Sequence, residues 1–144
     1  MANVFDVADY FLCLQDEDAE DRISNLKLQK LCYYAQGFNL AMNNERLFPE
    51  DIEAWQHGPA IPCLYNKYKE YGSGCLPISE DFSFNKVSQE TSDLLNEVYC
   101  VYGQYSAWRL RDMTHAEPPW IEARNKQKII SDATMIRFFK ERLV

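Results

Sequence analysis

Glycine is scarce in this 144-residue chain, at five residues, and none falls in a GxGxxG or GxxxxGKS/T arrangement. Backbone cradles for dinucleotides and nucleotide phosphates need such loops, so those ligand classes find no support. Histidine is limited to His57 and His115. A metal site needs three or four converging ligands with an oriented second shell, and His115 with Glu117 is a fragment of one. Cysteine numbers five (Cys13, Cys32, Cys63, Cys75 and Cys100), an odd count without CxxC spacing. This argues against a disulfide framework or a zinc knuckle and suits a reducing cytoplasm. Several of the cysteines lie among apolar neighbours and read as small buried hydrophobes. No apolar run approaches a membrane span, and no signal-peptide pattern opens the chain, so no membrane partner is expected.

Basic charge is also in deficit. Lys and Arg total 15 against 22 Asp and Glu, for a net charge of −7. A general nucleic-acid binder needs a basic surface to meet phosphates, so this balance argues against one. The charge is uneven. Residues 1–24 hold seven acids and one base, Arg22, whereas residues 106–144 hold eight bases and five acids. The acidic stretch Asp16 to Asp21 reads as a solvated loop able to steer a basic partner.

Nucleophilic chemistry has little to stand on. Cys63 and His57 are the nearest Cys–His pair in sequence, but Gly58, Pro59 and Pro62 intervene and no oxyanion-hole motif accompanies them. No nucleophile elbow is present. Acids are numerous, yet no pair is placed by a motif. The expectation is a chain with no catalytic residue, no metal and no cofactor. A hydrolase would need a deep pocket with strongly perturbed titratable groups.

What is abundant is apolar and aromatic surface, at 47% and 14% of residues. A chain of this length buries roughly 70% of the surface it exposes when unfolded, enough for one domain over residues 1–144 without staples. The clearest element is the run from Leu26 to Ala41. Leu28, Leu31, Cys32, Ala35, Phe38 and Met42 recur at steps of three or four, which predicts one amphipathic helix. Gly37 within it costs about 1 kcal/mol relative to alanine, so it predicts the close approach of another element. Ser24 or Asn25 can cap this helix, and Asn43-Asn44 can stop it in a turn.

Around it the pattern predicts further helices: residues 3–14, a helix opening at Pro62 and ending at Gly72, one starting at Ser88, one capped by Ser106, a brief turn at Trp120, and a last helix capped by Ser131. Residues 50–55 read as a short strand or an extended approach to Gly58-Pro59, with Leu76 to Ser79 as a possible strand partner. Phe82 and Phe84 are expected to tuck into the core, and Thr114 to Pro119 to form an ordered loop. The fold class is mainly α: a single compact domain of six or seven helices with a minor two-stranded β element.

Several segments together carry a resemblance. Lys27 to Ala41 is similar to the KLQKLxYYAQGxxLA opening of the Panacea, or SocA-like, antitoxin family. Ile52 to Pro62, continued by Leu64-Tyr65, resembles its IEAWxxGPVxPxLY. Ser106 to His115, completed by Pro119-Trp120, resembles its SAxxLxxxTHxxxPW, and Ile130 to Phe139 resembles its closing helix. The departures are Cys32 for leucine, Phe38-Asn39 for Trp-His, and His57 for tyrosine. The resemblance implies an antitoxin that neutralises a cognate toxin by direct protein contact, without enzymatic activity. One characterised type delivers its toxin to the ClpXP protease as a proteolytic adaptor.

Interaction proteins of this kind rest on a few aromatic or Arg anchors. Tyr33, Tyr34, Trp55, His57 and Trp120, all within the matched motifs, are the expected partner-binding patch; the alternative is that they are core or loop-fixing residues, a reading at least as strong for Trp55 and Trp120. The rival reading is a DNA-binding transcriptional regulator, with the first two helices imitating a helix-turn-helix. Lys27 and Lys30 are the sole bases in the second helix, few for an element that must present several polar side chains to base edges.

Overall fold

The computed structural model describes residues 1–15, 22–125 and 128–143. The acidic run Asp16 to Asp21 lies outside the described residues. Among them are seven α-helices: α1 (Val4–Leu14), α2 (Asn25–Asn43), α3 (Pro62–Tyr68), α4 (Gln89–Tyr102), α5 (Ala107–His115), α6 (Pro118–Asn125) and α7 (Asp132–Lys140). A two-stranded antiparallel sheet, β1 (Glu53–Trp55) with β2 (Gly58–Ala60), lies between α2 and α3 in sequence. This is the mainly α fold with a minor β element that the sequence predicts.

Serine sets most of the helix starts. Ser24, Ser88, Ser106 and Ser131 each accept from the backbone N–H three residues on, at 3.3, 3.1, 3.1 and 3.1 Å. Each satisfies a donor that has no partner within its helix. Asn44 ends α2 in the left-handed region, at φ 57°, with its N–H on the Leu40 carbonyl. Pro62 opens α3 at its first turn.

Helix α2 is the axis of the molecule. It packs against α1, α3, α4, α5, α7 and β2. The expectation of one buried face is corrected here: the helix is buried around nearly its whole circumference from Leu28 to Gly37. Met42, assigned to the inner stripe, is instead 52% exposed. The physical reason for the full burial is the polar residues on the other side of α2. They serve irregular backbone that would otherwise be unsatisfied. Gln36 accepts from Leu47 and Phe48 N–H at 2.6 and 3.3 Å and donates to the Phe48 carbonyl at 2.9 Å. Gln29 accepts from Ile61 N–H at 2.8 Å and donates to Asn25, which donates to the Tyr65 carbonyl at 3.1 Å. The Lys27 ammonium donates to the Gly103 carbonyl at 2.7 Å.

Gly37 meets its expected close neighbour. A Cβ there would overlap the Phe139 ring of α7, which packs with Tyr33, Tyr34 and Phe38.

Other expectations are corrected. Strand β1 does not pair with Leu76 to Ser79. It pairs with β2, Glu53 opposite Ala60, Ala54 opposite Pro59 and Trp55 opposite Gly58, around the two-residue tip Gln56-His57. Gly58, at φ +106°, supplies the backbone conformation that so tight a reversal needs. Leu76 instead donates its N–H to the Ile23 carbonyl at 3.0 Å. The predicted Thr114–Pro119 loop shrinks to Ala116 and Glu117, because Pro118 starts α6 at once. Phe84 stays 54% exposed, its ring edge-on to Tyr10 at 5.3 Å. Of the cysteines, Cys32 is buried and Cys13 half-buried, whereas Cys63, Cys75 and Cys100 are exposed.

Candidate partner-binding site

The five residues expected to form a contact patch do not share one environment. Tyr33 and Tyr34 have no exposed surface. Their hydroxyls donate to the two carboxylate oxygens of Glu117, at 2.8 and 2.9 Å. Tyr34 also stacks on Tyr102, with ring centroids 3.8 Å apart and planes 8° apart. In this conformation neither can touch a partner, and their place in the expected patch is corrected to the core. The physical reason is the buried Glu117, which draws both hydroxyls inward. Burial raises the Glu117 carboxyl above its ordinary value, opposed by the hydrogen bonds from the two tyrosines. Burial and then the neighbouring carboxylate push both phenols well up.

Trp55 and Trp120 are half-buried and fix the hairpin. The Trp120 indole N–H donates to the Trp55 carbonyl at 2.8 Å, and Arg124 donates to the Ala54 carbonyl at 3.2 Å. Trp120 stacks on His115, centroids 4.0 Å apart. Burial first, and the nearby Arg111 second, hold the His115 imidazole below its ordinary pKa. Trp55 packs edge-on against Tyr65 at 5.0 Å and donates its indole N–H to Glu53 at 2.9 Å.

His57 occupies the hairpin tip and is exposed. Arg111 of α5 reaches it, donating through Nε to His57 Nδ1 at 3.3 Å. The Arg111 guanidinium also lies 4.4 Å from the centre of the Trp108 ring, and it pairs with Asp112 at 2.9 Å. Trp108 is 56% exposed, with its ring 5.9 Å from that of His57. An exposed tryptophan and an arginine held in stacked geometry are the residue types that dominate binding energy. The sequence reading missed both Trp108 and Arg111. A signal was available: α5 turns Leu110 and Thr114 into the core, so Trp108 and Arg111 fall on its outer side.

Beneath the tip lies Lys30 of α2, 1% exposed. Its ammonium donates to the Pro59 carbonyl at 3.1 Å. Burial, and secondarily Arg111, bring it down to about 7. A Cβ at Gly58 would lie 2.6 Å from Lys30 Cε and 2.9 Å from Thr114 Oγ1, so this glycine admits the lysine under the hairpin. The YYAQG helix and the GP hairpin thereby interlock through Lys30.

The match to known sequences follows the same elements. The family described as Antitoxin SocA-like, Panacea domain, matches residues 28–121, from α2 to α6. This chain belongs to that family. It is similar to the Antitoxin SocA of Caulobacter vibrioides (strain NA1000 / CB15N), 30% identical in an alignment 109 residues long that covers 68% of this chain. The aligned region spans 58% of that relative's length. No solved structure matches. The matched Panacea region holds the hairpin, α5 and the start of α6 with Trp120, the Glu117 carboxylate with both tyrosines, and Lys30.

Within this Panacea chain α2 cannot act as a recognition helix in the conformation described, because Lys27 and Lys30 are each 1% exposed. No described helix is long and apolar enough to cross a membrane. The cavity beside the hairpin includes the perturbed Lys30, but no cysteine or carboxylate is among its lining residues.

Proposed function

We propose that this chain acts, as a single domain over residues 1–144, as an antitoxin that neutralises a cognate toxin by direct contact, without catalysis. Its contact face is the hairpin tip with the outer side of α5: Trp108, Arg111 and His57, with Trp55 and Trp120 fixing the backbone beneath. What carries the reading is the exposed Trp108 ring held against Arg111 on a rigid support, within a family of antitoxins. Such a face needs no rearrangement to bind, which keeps the entropic cost of association low. Burial of about 1,200–2,000 Å² in total would be of ordinary size for a specific complex. Tyr33 and Tyr34 contribute by holding the core under this face and not by touching the toxin.

Handover of the bound toxin to the ClpXP protease is a further part of the proposal, supported by the family resemblance. The cytoplasm is the location such a role requires.

The test is co-expression with the product of the neighbouring gene, followed by pull-down and a growth assay. The intact chain should capture that product and restore growth, and Trp108→Ala should lose both while remaining folded. Full rescue by Trp108→Ala and by Arg111→Ala would reject this face. Purified ClpXP, the chain and the captured product, mixed with ATP, test the handover separately: loss of the product only when the chain is present is the supporting result.

A further inference from the structure

A cavity of about 320 Å³ opens beside the hairpin tip. Trp55, Tyr65, Leu26 and Ala60 supply apolar walls, and Lys30 and His57 are also among its lining residues. Lys30 Nζ lies against Gly58, itself a lining residue: a Cβ there would sit 3.2 Å from it. An ammonium carries three donors, and the acceptor found for this one is the Pro59 carbonyl. Among the described residues Lys30 forms no ion pair with a carboxylate. A buried cation without a counter-charge is costly. The charged group that acts on Lys30 is another cation, Arg111, which also bonds His57 at the tip. In a chain of net charge −7 this is a basic spot with an unmet demand for an anion.

We propose that this cavity receives a carboxylate on an apolar stem, the acidic side chain of a polypeptide partner, with Lys30 as its counter-charge. The inference rests on the docking face proposed above, because His57 belongs to both the cavity and that face. The cavity volume suits one side chain and not a helix. Apolar walls suit a methylene stem, and the ammonium suits its terminal charge, since hydrogen bonds between ionised partners are the strong ones. The wall indole and phenol rings exclude water around the pair and strengthen it further. The partner surface is thus expected to present an acidic residue flanked by apolar ones, set beside whatever covers Trp108.

Capped tripeptides are the probes: acetyl-Leu-Glu-Leu-amide and its Gln counterpart, with phenylacetate as a free carboxylate. Binding is read from chemical-shift changes of Lys30 and the Trp55 indole in the full chain. The expected result is saturable binding of the Glu peptide and at least tenfold weaker binding of the Gln peptide. Lys30→Met should abolish it. Ser73→Glu places a like charge on an exposed lining residue away from the core, so it should weaken binding at least tenfold with an unchanged melting temperature. Equal binding of the Glu and Gln peptides, no binding of either, or no loss in Ser73→Glu overturns the inference. Binding of phenylacetate without the Glu peptide assigns the cavity to a small acid and likewise overturns it. Pull-down separates the two readings: if Trp108→Ala loses the neighbouring gene product while Lys30→Met and Ser73→Glu keep it, the cavity reading falls and the face stands. Loss in Ser73→Glu with full capture by Trp108→Ala has the opposite meaning.

Discussion

The ring of Phe139 fills the space that a Cβ on Gly37 would occupy. Two elements far apart in sequence, α2 and α7, meet there without an intervening side chain, and the contact sets how closely the last helix packs on the central one. On helix propensity alone Gly37→Ala should stabilise α2 by about 1 kcal/mol. Packing reverses the sign. Phe139 has no exposed surface and is hemmed by Tyr33, Tyr34, Phe38 and Phe138, so it has nowhere to turn. Gly37→Ala should therefore destabilise by about 1–3 kcal/mol, the usual cost of overpacking. Urea unfolding measures it, and the double variant Gly37→Ala with Phe139→Leu should recover part of the loss.

Tyr34→Phe should cost about 1–3 kcal/mol, the penalty for leaving a buried acceptor unmatched, because Glu117 Oε2 loses its donor. The aromatic stack on Tyr102 is kept, so the loss reports on the hydroxyl. Glu117→Gln tests the same centre by pH. Burial raises the folded carboxyl above its ordinary value, so the folded state holds its proton more tightly than the unfolded chain does. Its stability contribution is complete below the unfolded value near pH 4.5 and declines as pH rises through the folded one. The stability of the parent relative to Glu117→Gln should fall over that window, as unfolding at a series of pH values would record. A flat difference would deny the shift.

Much of this was legible in the sequence, for reasons that can be given residue by residue. The serines that cap α2, α4, α5 and α7 act locally, so their sequence position is enough to read them. Gly37 was legible because a glycine inside a helix needs a cause. Tyr33 and Tyr34 were misread because their burial depends on Glu117, distant in sequence, whose carboxylate draws both hydroxyls into the core. The burial of Lys30 and Gln36 was hidden for the same kind of reason. A helix that serves irregular backbone on its polar side looks amphipathic in sequence and is surrounded in space. The strand partner differs from Leu76 to Ser79 because the positive φ of Gly58 permits a hairpin within a few residues, which the hydropathy pattern of the segment does not signal.

Trp108 and Trp120 should separate cleanly in stability. Trp108 is more than half exposed and its indole sits on α5 facing outward, so Trp108→Ala should change unfolding free energy by no more than about 0.5 kcal/mol. Trp120→Phe keeps a ring against His115 but removes the donor to the Trp55 carbonyl, a loss of about 1 kcal/mol. Trp120→Ala, which also empties the stack, should cost about 3 kcal/mol or more. Chemical denaturation of the three variants decides it. A Trp108→Ala loss as large as that of Trp120→Ala would make Trp108 a structural residue and remove the anchor of the proposed face.

Lys30 should make stability rise with pH between about 7 and the ordinary lysine value. Burial, with help from Arg111, brings the folded ammonium to about 7, whereas the unfolded side chain keeps its usual value near 10.4. Between those values the unfolded chain holds more protons than the folded one, so stability increases with pH. Below about pH 7 both states are charged and the full cost of burying the cation is present. The groups facing it are Arg111 and His115 of α5 and His57 at the hairpin tip. Burial, and then Arg111, hold the His115 imidazole below its ordinary value, under the window. Lys30→Met leaves the Pro59 carbonyl without its donor at about 1 kcal/mol, a cost independent of pH, but removes the charge. It should gain most on the parent at pH 6, and that advantage should shrink steadily by pH 9. Unfolding free energies of the two proteins at pH 6, 7, 8 and 9 measure the slope. Parallel curves would mean that Lys30 titrates outside this range, and that its ammonium already has a counter-charge in the free protein.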